Sequence, residues 1–138
     1  MMNRIEGGAA HDHGGLPAIL LVDDEETILF AVRDYLSAAG WRVETASNVE
    51  QADECLRSGV FAAVVIDLRL SVDDEEGEGL ELARRVRDQA PDTKVLVLTA
   101  YGSNRVQEEA ARIGVHGFLQ KPQPLTRLEQ HLSSLISA

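Results

Sequence analysis

The sequence has few of the features that mark a secreted or membrane-spanning protein. Its 138 residues include a single cysteine, Cys55, which excludes a disulfide within the chain. The longest apolar run, residues 60–66, is far shorter than the roughly 20 residues that span a bilayer, and the N-terminus lacks the apolar stretch of a signal peptide. These absences predict a soluble, cytoplasmic protein with no membrane partner.

Positive charge and aromatic side chains are also scarce. Lys and Arg total 13 against 23 Asp and Glu, which gives a formal net charge of −10, and aromatic residues make up only 4% of the chain. Nucleic-acid binding depends on neutralising phosphates with Lys and Arg, so we expect no direct contact with nucleic acid. The length indicates one domain, whose core should consist mainly of Val, Leu, Ile and Ala.

The apolar residues that are present follow an alternating order. Residues 1–16 are rich in Gly and polar side chains without periodicity and are predicted to form a mobile tail, whereas residues 17–138 form the domain. Within the domain, five continuously apolar runs are each followed by helical spacing, which indicates a parallel sheet buried on both faces. We therefore predict an α/β, doubly wound fold with helices on both faces of a five-stranded parallel sheet. The predicted strands are residues 18–22, 42–46, 61–66, 94–98 and 115–119.

Polar and charged side chains stand where these strands end. Asp23 and Asp24 follow the first strand, Asp67 the third, Thr99 the fourth and Lys121 the fifth. Ligands of open α/β sheets bind beyond the carboxyl ends of the strands, so these are the candidate functional residues. If the first and third strands are neighbours, their acids lie roughly 5–6 Å apart, since adjacent strands are about 4.8 Å apart.

Such a group of acids needs a counter-charge. At an effective dielectric constant near 20, two unit charges about 6 Å apart repel each other by on the order of 3 kcal/mol, and one ammonium offsets this only in part. A divalent cation would remove the repulsion. Carboxylate oxygens suit Mg²⁺, and the strand ends offer no His or Cys for zinc. The sequence therefore predicts Mg²⁺ as the cofactor.

Each candidate residue, taken alone, also has an ordinary structural explanation. Asp23 or Asp24 would cap the first helix, and Asp67 would begin a turn. Thr99 would make a local hydrogen bond, and Lys121 would be a solvated side chain. The functional interpretation depends on finding all of them, in order, at strand ends.

Across about residues 17–136 the chain resembles the receiver domain of two-component response regulators. The resemblance lies in four motifs, in order and at compatible spacings: LLVDDEE, VVIDLRL, VLVLTAYG and GFLQKP. It implies a flavodoxin-like sheet with strand order 2-1-3-4-5. It also implies a phosphoprotein of two-component signal transduction that catalyses its own phosphorylation and dephosphorylation and is not a conventional enzyme.

The resemblance also assigns the acids their roles. Asp67 is implied to accept a phosphoryl group from a histidine kinase or a histidine phosphotransfer protein. Asp23, Asp24 and Asp67 are implied to hold Mg²⁺, Asp24 directly and Asp23 through water. The backbone carbonyl of Arg69 is implied to be a further ligand of the metal.

The remaining residues are implied to respond to the phosphoryl group. Thr99 and Lys121 would contact its oxygens as catalytic residues, and Thr99 and Phe118 would form a switch. That switch would alter the surface made by the fourth helix, fifth strand and fifth helix, where a downstream protein target is expected to bind.

The loop after Asp67 departs from the family pattern. Leu70 and Ser71 stand where a Met-Pro pair is usual, and the matching glycine is Gly79, so the loop is about four residues longer than in the family. Five acids lie among residues 73–78 of this loop. They either form a solvated insertion or steer partners and Mg²⁺ toward the site.

Other classes of function remain open from the sequence. A degenerate receiver would act only as a constitutive protein-interaction module, but its expected mark, loss of Asp67, the acid pair or Lys121, is not seen. An aspartate-nucleophile phosphohydrolase would carry an acid-x-acid signature, whereas Leu68 and Arg69 follow Asp67. The sequence is equally compatible with a receiver that stands alone and with one that belongs to a larger kinase or regulator.

Overall fold

The structure is a computed structural model that describes residues 18–70, 77–100 and 102–137. The predicted tail at residues 1–16 lies outside the described residues. So do residues 71–76, which contain most of the acidic run, and Tyr101.

Strands and helices alternate along the described chain, as the apolar pattern predicts. The strands are β1 (Ala18–Val22), β2 (Arg42–Ala46), β3 (Ala63–Ile66), β4 (Lys94–Thr99) and β5 (Gly117–Gln120). They form a sheet of order β2-β1-β3-β4-β5 in which each neighbouring pair is parallel. The prediction of a doubly wound α/β fold with this strand order is confirmed.

Five helices connect or follow these strands in the described chain. They are α1 (Glu26–Ala38), α2 (Val49–Ser58), α3 (Gly77–Gln89), α4 (Asn104–Ile113) and α5 (Leu125–Ser137).

Helices cover both faces of the sheet, and because successive strand residues point to opposite sides, the strands contribute to both packed layers. On one face, strand residues such as Leu20 and Ile66 pack with Leu82 of α3 and its neighbours. On the other face, residues such as Leu21 and Leu96 pack against α1 and α5. The helices present apolar stripes at spacings of three and four residues, as Leu29, Val32 and Leu36 do in α1.

Helix ends follow local capping chemistry. Asn48 is the N-cap of α2 and accepts a hydrogen bond from the Gln51 N–H. Ser103 caps α4 by accepting from the Val106 N–H. Gly114 ends α4 in the left-handed conformation, with a φ of 96°, which glycine adopts without strain.

Four strand boundaries differ from the predicted ones: β3 and β5 each begin two residues later, and β4 and β5 each end one residue later, at Thr99 and Gln120. The fifth strand begins at Gly117 rather than at residue 115, because the chain is still turning after Gly114 and the Val115 N–H bonds back to the Ala110 carbonyl. The third strand begins at Ala63 rather than at residue 61. The Phe61 carbonyl accepts from the Thr93 hydroxyl at 2.8 Å, which is a side-chain bond and not a bond of the sheet.

The acidic run is not confined to a loop. Because α3 begins at Gly77, Glu78 lies in the first turn of that helix. Negative charge in a first turn interacts favourably with the helix dipole. None of the described helices has the length and apolar character required to cross a membrane.

Candidate functional site

The sheet places the predicted site residues at one edge by extending its hydrogen bonding past the strands. The Asp23 N–H donates to the Ala46 carbonyl at 3.1 Å, and the Asp67 N–H donates to the Val22 carbonyl at 2.9 Å. At the same edge, between β4 and β5, the Lys121 N–H donates to the Thr99 carbonyl at 2.8 Å. Each side chain therefore stands at a backbone position fixed by the neighbouring strand.

Three carboxylates meet at this edge. Asp23, Asp24 and Asp67 each offer an oxygen, and these atoms all lie within 4.8 Å of one another. Asp23 and Asp67 are buried, with 5% and 4% of their surfaces exposed, whereas Asp24 is exposed. The separation is slightly shorter than the 5–6 Å expected from strand spacing, so the acids of the first and third strands do share one site.

Lys121 reaches into this cluster from β5. Its Nζ lies 2.6 Å from Asp23 Oδ2 and 3.3 Å from Asp67 Oδ2, and its side chain is only 13% exposed. It is therefore not the solvated side chain that a lone lysine would suggest. One buried ammonium is shared between two buried acids.

Burial and charge act together on the titration of these groups. Burial, the largest influence, raises the pKa of Asp23, although hydrogen bonds from Lys121 and the Glu25 N–H act in the opposite direction. The pKa of Asp24 is also raised, first by burial and then by the charges of Asp67 and Glu25. For Lys121, burial lowers the pKa, but the hydrogen bond and charge of Asp23, aided by Asp67, outweigh it and leave the pKa raised.

One oxygen of the cluster has no hydrogen-bond partner among the described residues. Asp67 Oδ1 is buried, and no described residue gives it a hydrogen bond. A buried acceptor without a hydrogen bond carries a free-energy penalty, which a bound ligand at this oxygen would remove. Together with the three convergent carboxylates, this orphaned oxygen fits a hard divalent cation such as Mg²⁺.

The structure also tests the simpler explanation of the acid pair, that Asp23 or Asp24 caps the first helix. Neither Asp23 nor Asp24 is the N-cap of α1, because that position is Glu25, which makes no side-chain cap. Asp23 Oδ1 instead accepts from the Glu25 N–H at 2.9 Å, which fixes the turn between β1 and α1. Asp23 thus has a structural bond on one oxygen and Lys121 on the other.

The remaining predicted residues lie around this cluster. Thr99 is fully buried at the end of β4, and Arg69 lies two residues after Asp67 with a partly exposed side chain. Phe118, in β5, is half-buried and packs against a buried cluster formed by Leu68, Val97 of the sheet and Val106 of α4. Phe118 therefore lies beside a cluster to which α4 contributes.

The glycine predicted to follow the long loop, Gly79, lies directly against the backbone that follows β3. A Cβ on Gly79 would lie 2.4 Å from Leu68 Cα and 2.6 Å from the Asp67 carbonyl oxygen. The Gly79 N–H donates to the Leu68 carbonyl at 3.1 Å. The start of α3 therefore approaches the backbone at Asp67 more closely than any other residue type permits.

Two residues near the site did not emerge from the sequence. Glu25 Oε1 lies 3.7 Å from Lys121 Nζ, and its position directly after the acid pair was the available signal. Gln120, directly before Lys121, donates a hydrogen bond to Gly102. Its side chain carries no charge, and nothing in the spacing pointed to it.

Comparison with known proteins identifies relatives of this chain. A family model, the response regulator receiver domain, matches residues 19–133. The photosynthetic apparatus regulatory protein RegA of Cereibacter sphaeroides is 34% identical over 105 residues, which cover 76% of this chain and 55% of RegA. The chain therefore spans about half the length of this curated relative.

Solved structures show the same fold. A CheY-like response regulator receiver domain protein from Methanospirillum hungatei has a TM-score of 0.83 at 24% identity, covering 89% of this chain and 95% of that one. A response regulator from Burkholderia pseudomallei, with a phosphorylated aspartic acid, a calcium ion and citrate, has a TM-score of 0.78 at 28% identity. That match covers 88% of this chain and 69% of the Burkholderia chain.

Proposed function

Because the chain belongs to the response regulator receiver domain family, we propose that Asp67 accepts a phosphoryl group from a histidine kinase or a histidine phosphotransfer protein. The observation that carries the proposal is Asp67 Oδ1, a buried carboxylate oxygen with no hydrogen bond from the described residues. Its other oxygen is held by Lys121. Lys121 thus orients the Asp67 carboxylate through Oδ2, and Oδ1 has no described partner that would compete with a phosphoryl group.

The transfer requires little more than positioning and charge neutralisation. An Asp67 oxygen attacks phosphorus, the bond from phosphorus to the donor nitrogen breaks, and its electron pair leaves with the imidazole. The three phosphoryl oxygens bring negative charge into a site that already holds three acids. Lys121 contacts Asp67 directly, so we assign it and Thr99 to the phosphoryl oxygens.

The acids are assigned to Mg²⁺. Asp23, Asp24 and Asp67 would hold the ion, with the backbone carbonyl of Arg69 as a further oxygen ligand, and the bound ion would shield the carboxylates and orient phosphoryl oxygens. Asp24 is the exposed member of the set, which suits direct coordination. Asp23 is bonded to Lys121 and to the Glu25 N–H, which suits contact through water. The Burkholderia relative, which holds both a phosphorylated aspartic acid and a divalent cation, supports this assignment.

Phosphorylation is proposed to act on partners through a switch. Thr99 would close on the phosphoryl oxygens, and Phe118 would move with the α4-β5-α5 face, where a downstream protein binds. Phe118 already packs against the cluster that includes Val106 of α4, so its movement would change that face. In this assignment residues 17–138 are the receiver domain and residues 1–16 a tail. A location in the cytoplasm stays a prediction.

A constitutive, degenerate receiver is the weaker alternative. It would need no working acceptor, yet the acids and Lys121 are all present and in contact.

The test is covalent labelling by phosphoramidate, a small phosphodonor, followed by intact mass. We expect one phosphoryl group per chain with Mg²⁺, none with EDTA, and none in Asp67→Asn, because an amide oxygen is a poor acceptor. Asp92→Asn, an exposed acid next to the opposite edge of β4, should label like the wild type. Labelling that persists in Asp67→Asn would overturn the assignment.

A further inference from the structure

The Gly102 carbonyl, in the loop between β4 and α4, accepts two side-chain hydrogen bonds. Gln120 Nε2, at the end of β5, donates to it over 2.9 Å. Gln107 Nε2, in the first turn of α4, donates to it over 3.0 Å. One backbone oxygen therefore joins a strand, a helix and the loop between them, all on the face where the downstream partner is proposed to bind.

The backbone at Gly102 lies directly against the switch residue. A Cβ at this position would lie 2.5 Å from Gln120 Nε2 and 2.8 Å from Phe118 Cε1. A Cβ here would therefore have to displace the Gln120 amide or the Phe118 ring. A movement of this backbone toward β5 would displace the same two groups.

The same point of the loop is tied to the phosphoryl site and to the start of α4. Thr99 pairs in register with Gln120, so a shift of Thr99 acts on the strand that carries one amide. Ser103, the next residue after Gly102, caps α4 by accepting from the Val106 N–H at 3.3 Å. Displacing the Gly102 carbonyl would therefore disturb the first turn of α4.

We propose that Gln107 and Gln120 form an amide clamp on the Gly102 carbonyl, which holds the β4–α4 loop in its unphosphorylated position and so sets the resting balance of the switch. Both glutamines are positioning residues: they touch neither the acids nor the phosphoryl group. The inference rests on the proposed function, because it concerns the switch that phosphorylation operates. When Thr99 moves toward the phosphoryl oxygens, the loop that follows it moves and the clamp must open.

Loss of one hydrogen bond of the clamp should change the resting conformational equilibrium by a measurable factor. An exposed hydrogen bond between neutral groups changes an equilibrium by roughly two- to tenfold. Gln120→Leu and Gln107→Leu remove one donor each and keep most of the side-chain volume. Each is expected to raise the resting population of the phosphorylated-like conformation by that factor, and the double variant should raise it further.

The readout is NMR of the unphosphorylated protein, with fluorine-labelled Phe118 and the backbone amides of Val106 and Ala110. We expect both leucine variants to move these signals along the line from the wild-type resting position to the position reached with phosphoramidate and Mg²⁺. Ala110 lies in α4 away from both amides, so its movement separates a shift of balance from a local effect. Gln130→Leu, an exposed glutamine of α5, should leave all the signals in place.

Gln120→Glu supplies a second, reversible test. A carboxylate cannot donate to the Gly102 carbonyl at pH 7, whereas its protonated form can, so lowering the pH to about 4.5 should return the signals toward the resting position. The wild type at the same two pH values is the reference. The clamp is disproved if the leucine variants leave Ala110 unmoved, or if Gln120→Glu shows no return. Intact mass of each sample reports phosphoryl labelling separately, so absence of labelling in the wild type counts against the proposed function. The Gln120→Glu measurement at two pH values then still tests the clamp, because its reference is the resting wild type and not the phosphorylated protein.

Discussion

Lys121 is bonded more closely to Asp23 than to Asp67: its Nζ lies 2.6 Å from Asp23 Oδ2 and 3.3 Å from Asp67 Oδ2. The lysine is thus anchored on the acid that is not the proposed acceptor. Phosphorylation of Asp67 would leave that anchor intact, so the ammonium stays in place to meet the new oxygens.

Replacing Lys121 with Met should separate phosphoryl transfer from metal binding. We expect labelling of Asp67 to slow by roughly tenfold or more, since a hydrogen bond to a charged group contributes about 1.5–3 kcal/mol. Mg²⁺ affinity should rise, because a positive charge beside the three acids is gone. Intact mass and calorimetric titration measure the two effects. Lys94→Met, at the opposite edge of the sheet, is the control, and an equal loss of both properties in Lys121→Met would indicate misfolding.

Removing the Thr99 hydroxyl should leave transfer possible but uncouple it from Phe118. Thr99 is fully buried, and the hydroxyl is assigned only to report the phosphoryl oxygens. Thr99→Ala should still gain the mass of one phosphoryl group, while the fluorine signal of Phe118 stays at its resting position. Thr99→Ser keeps the hydroxyl and should restore the shift. A normal Phe118 shift in labelled Thr99→Ala would remove Thr99 from the switch.

Much of this site could be predicted because strand ends are a local property of the sequence. Asp23, Asp67 and Thr99 each follow an apolar run directly, and parallel strands bring such positions to one edge. The pairing that places Asp23 beside Asp67 then follows from the order of the strands. What the pattern cannot supply is side-chain direction, and so the shared use of Lys121 by two acids appears only in the structure.

The features that were missed depend on tertiary contacts. Gln120 is polar and follows two apolar residues, so apolar periodicity ends the strand at Leu119, whereas pairing with Thr99 extends it by one residue. The sequence pattern places Glu78 in a loop because it continues a run of acids, whereas in the structure α3 has already begun at Gly77. The approach of Gly79 to Leu68 depends on how the start of α3 packs, which no spacing reveals.

Gly79 should not tolerate even a methyl group. Gly79→Ala would place Cβ 2.4 Å from Leu68 Cα, and the contact is with backbone that cannot rotate away. We expect a loss of about 1–3 kcal/mol in the free energy of unfolding, despite the better helix propensity of alanine. Urea denaturation measures this. Gly59→Ala, whose nearest neighbour would be 3.8 Å away, should change stability by less than about 0.5 kcal/mol, and equal effects would contradict the packing argument.

His116 should make the fold less stable in mild acid. The Val95 N–H donates to His116 Nδ1 at 3.0 Å, so the ring must be neutral on that nitrogen. The pKa of His116 is lowered, first by burial and then by the charges of Arg87 and Lys94. Because the unfolded chain binds this proton more readily, the contribution to stability is complete above the ordinary pKa of 6.5 and is lost as pH falls below it.

The comparison variant is His116→Asn, whose amide oxygen can accept from Val95 without titrating. Urea denaturation between pH 7.5 and pH 5 should show a smaller loss of stability for this variant than for the wild type. If His116→Asn keeps the wild-type slope, the His116 ring does not couple protonation to folding.

The role of the five acids among residues 73–78 remains a hypothesis from the sequence, because only Glu78 of the five lies among the described residues. If they attract Mg²⁺ at long range, neutralising Asp73, Asp74, Glu75, Glu76 and Glu78 to Asn or Gln should weaken Mg²⁺ binding severalfold at low salt. The difference should vanish near physiological salt, where the Debye length is about 8 Å. Helices run back from the carboxyl edge of the sheet, so exposed acids late in α1 and α3 are distant from the site. Asp34→Asn with Asp88→Asn removes two such charges and is the control for Asp73→Asn with Asp74→Asn, which removes two charges from the acidic run. Calorimetric titration across a salt series decides the matter: an affinity that stays at the wild-type value in low salt means that the acids only keep the insertion solvated.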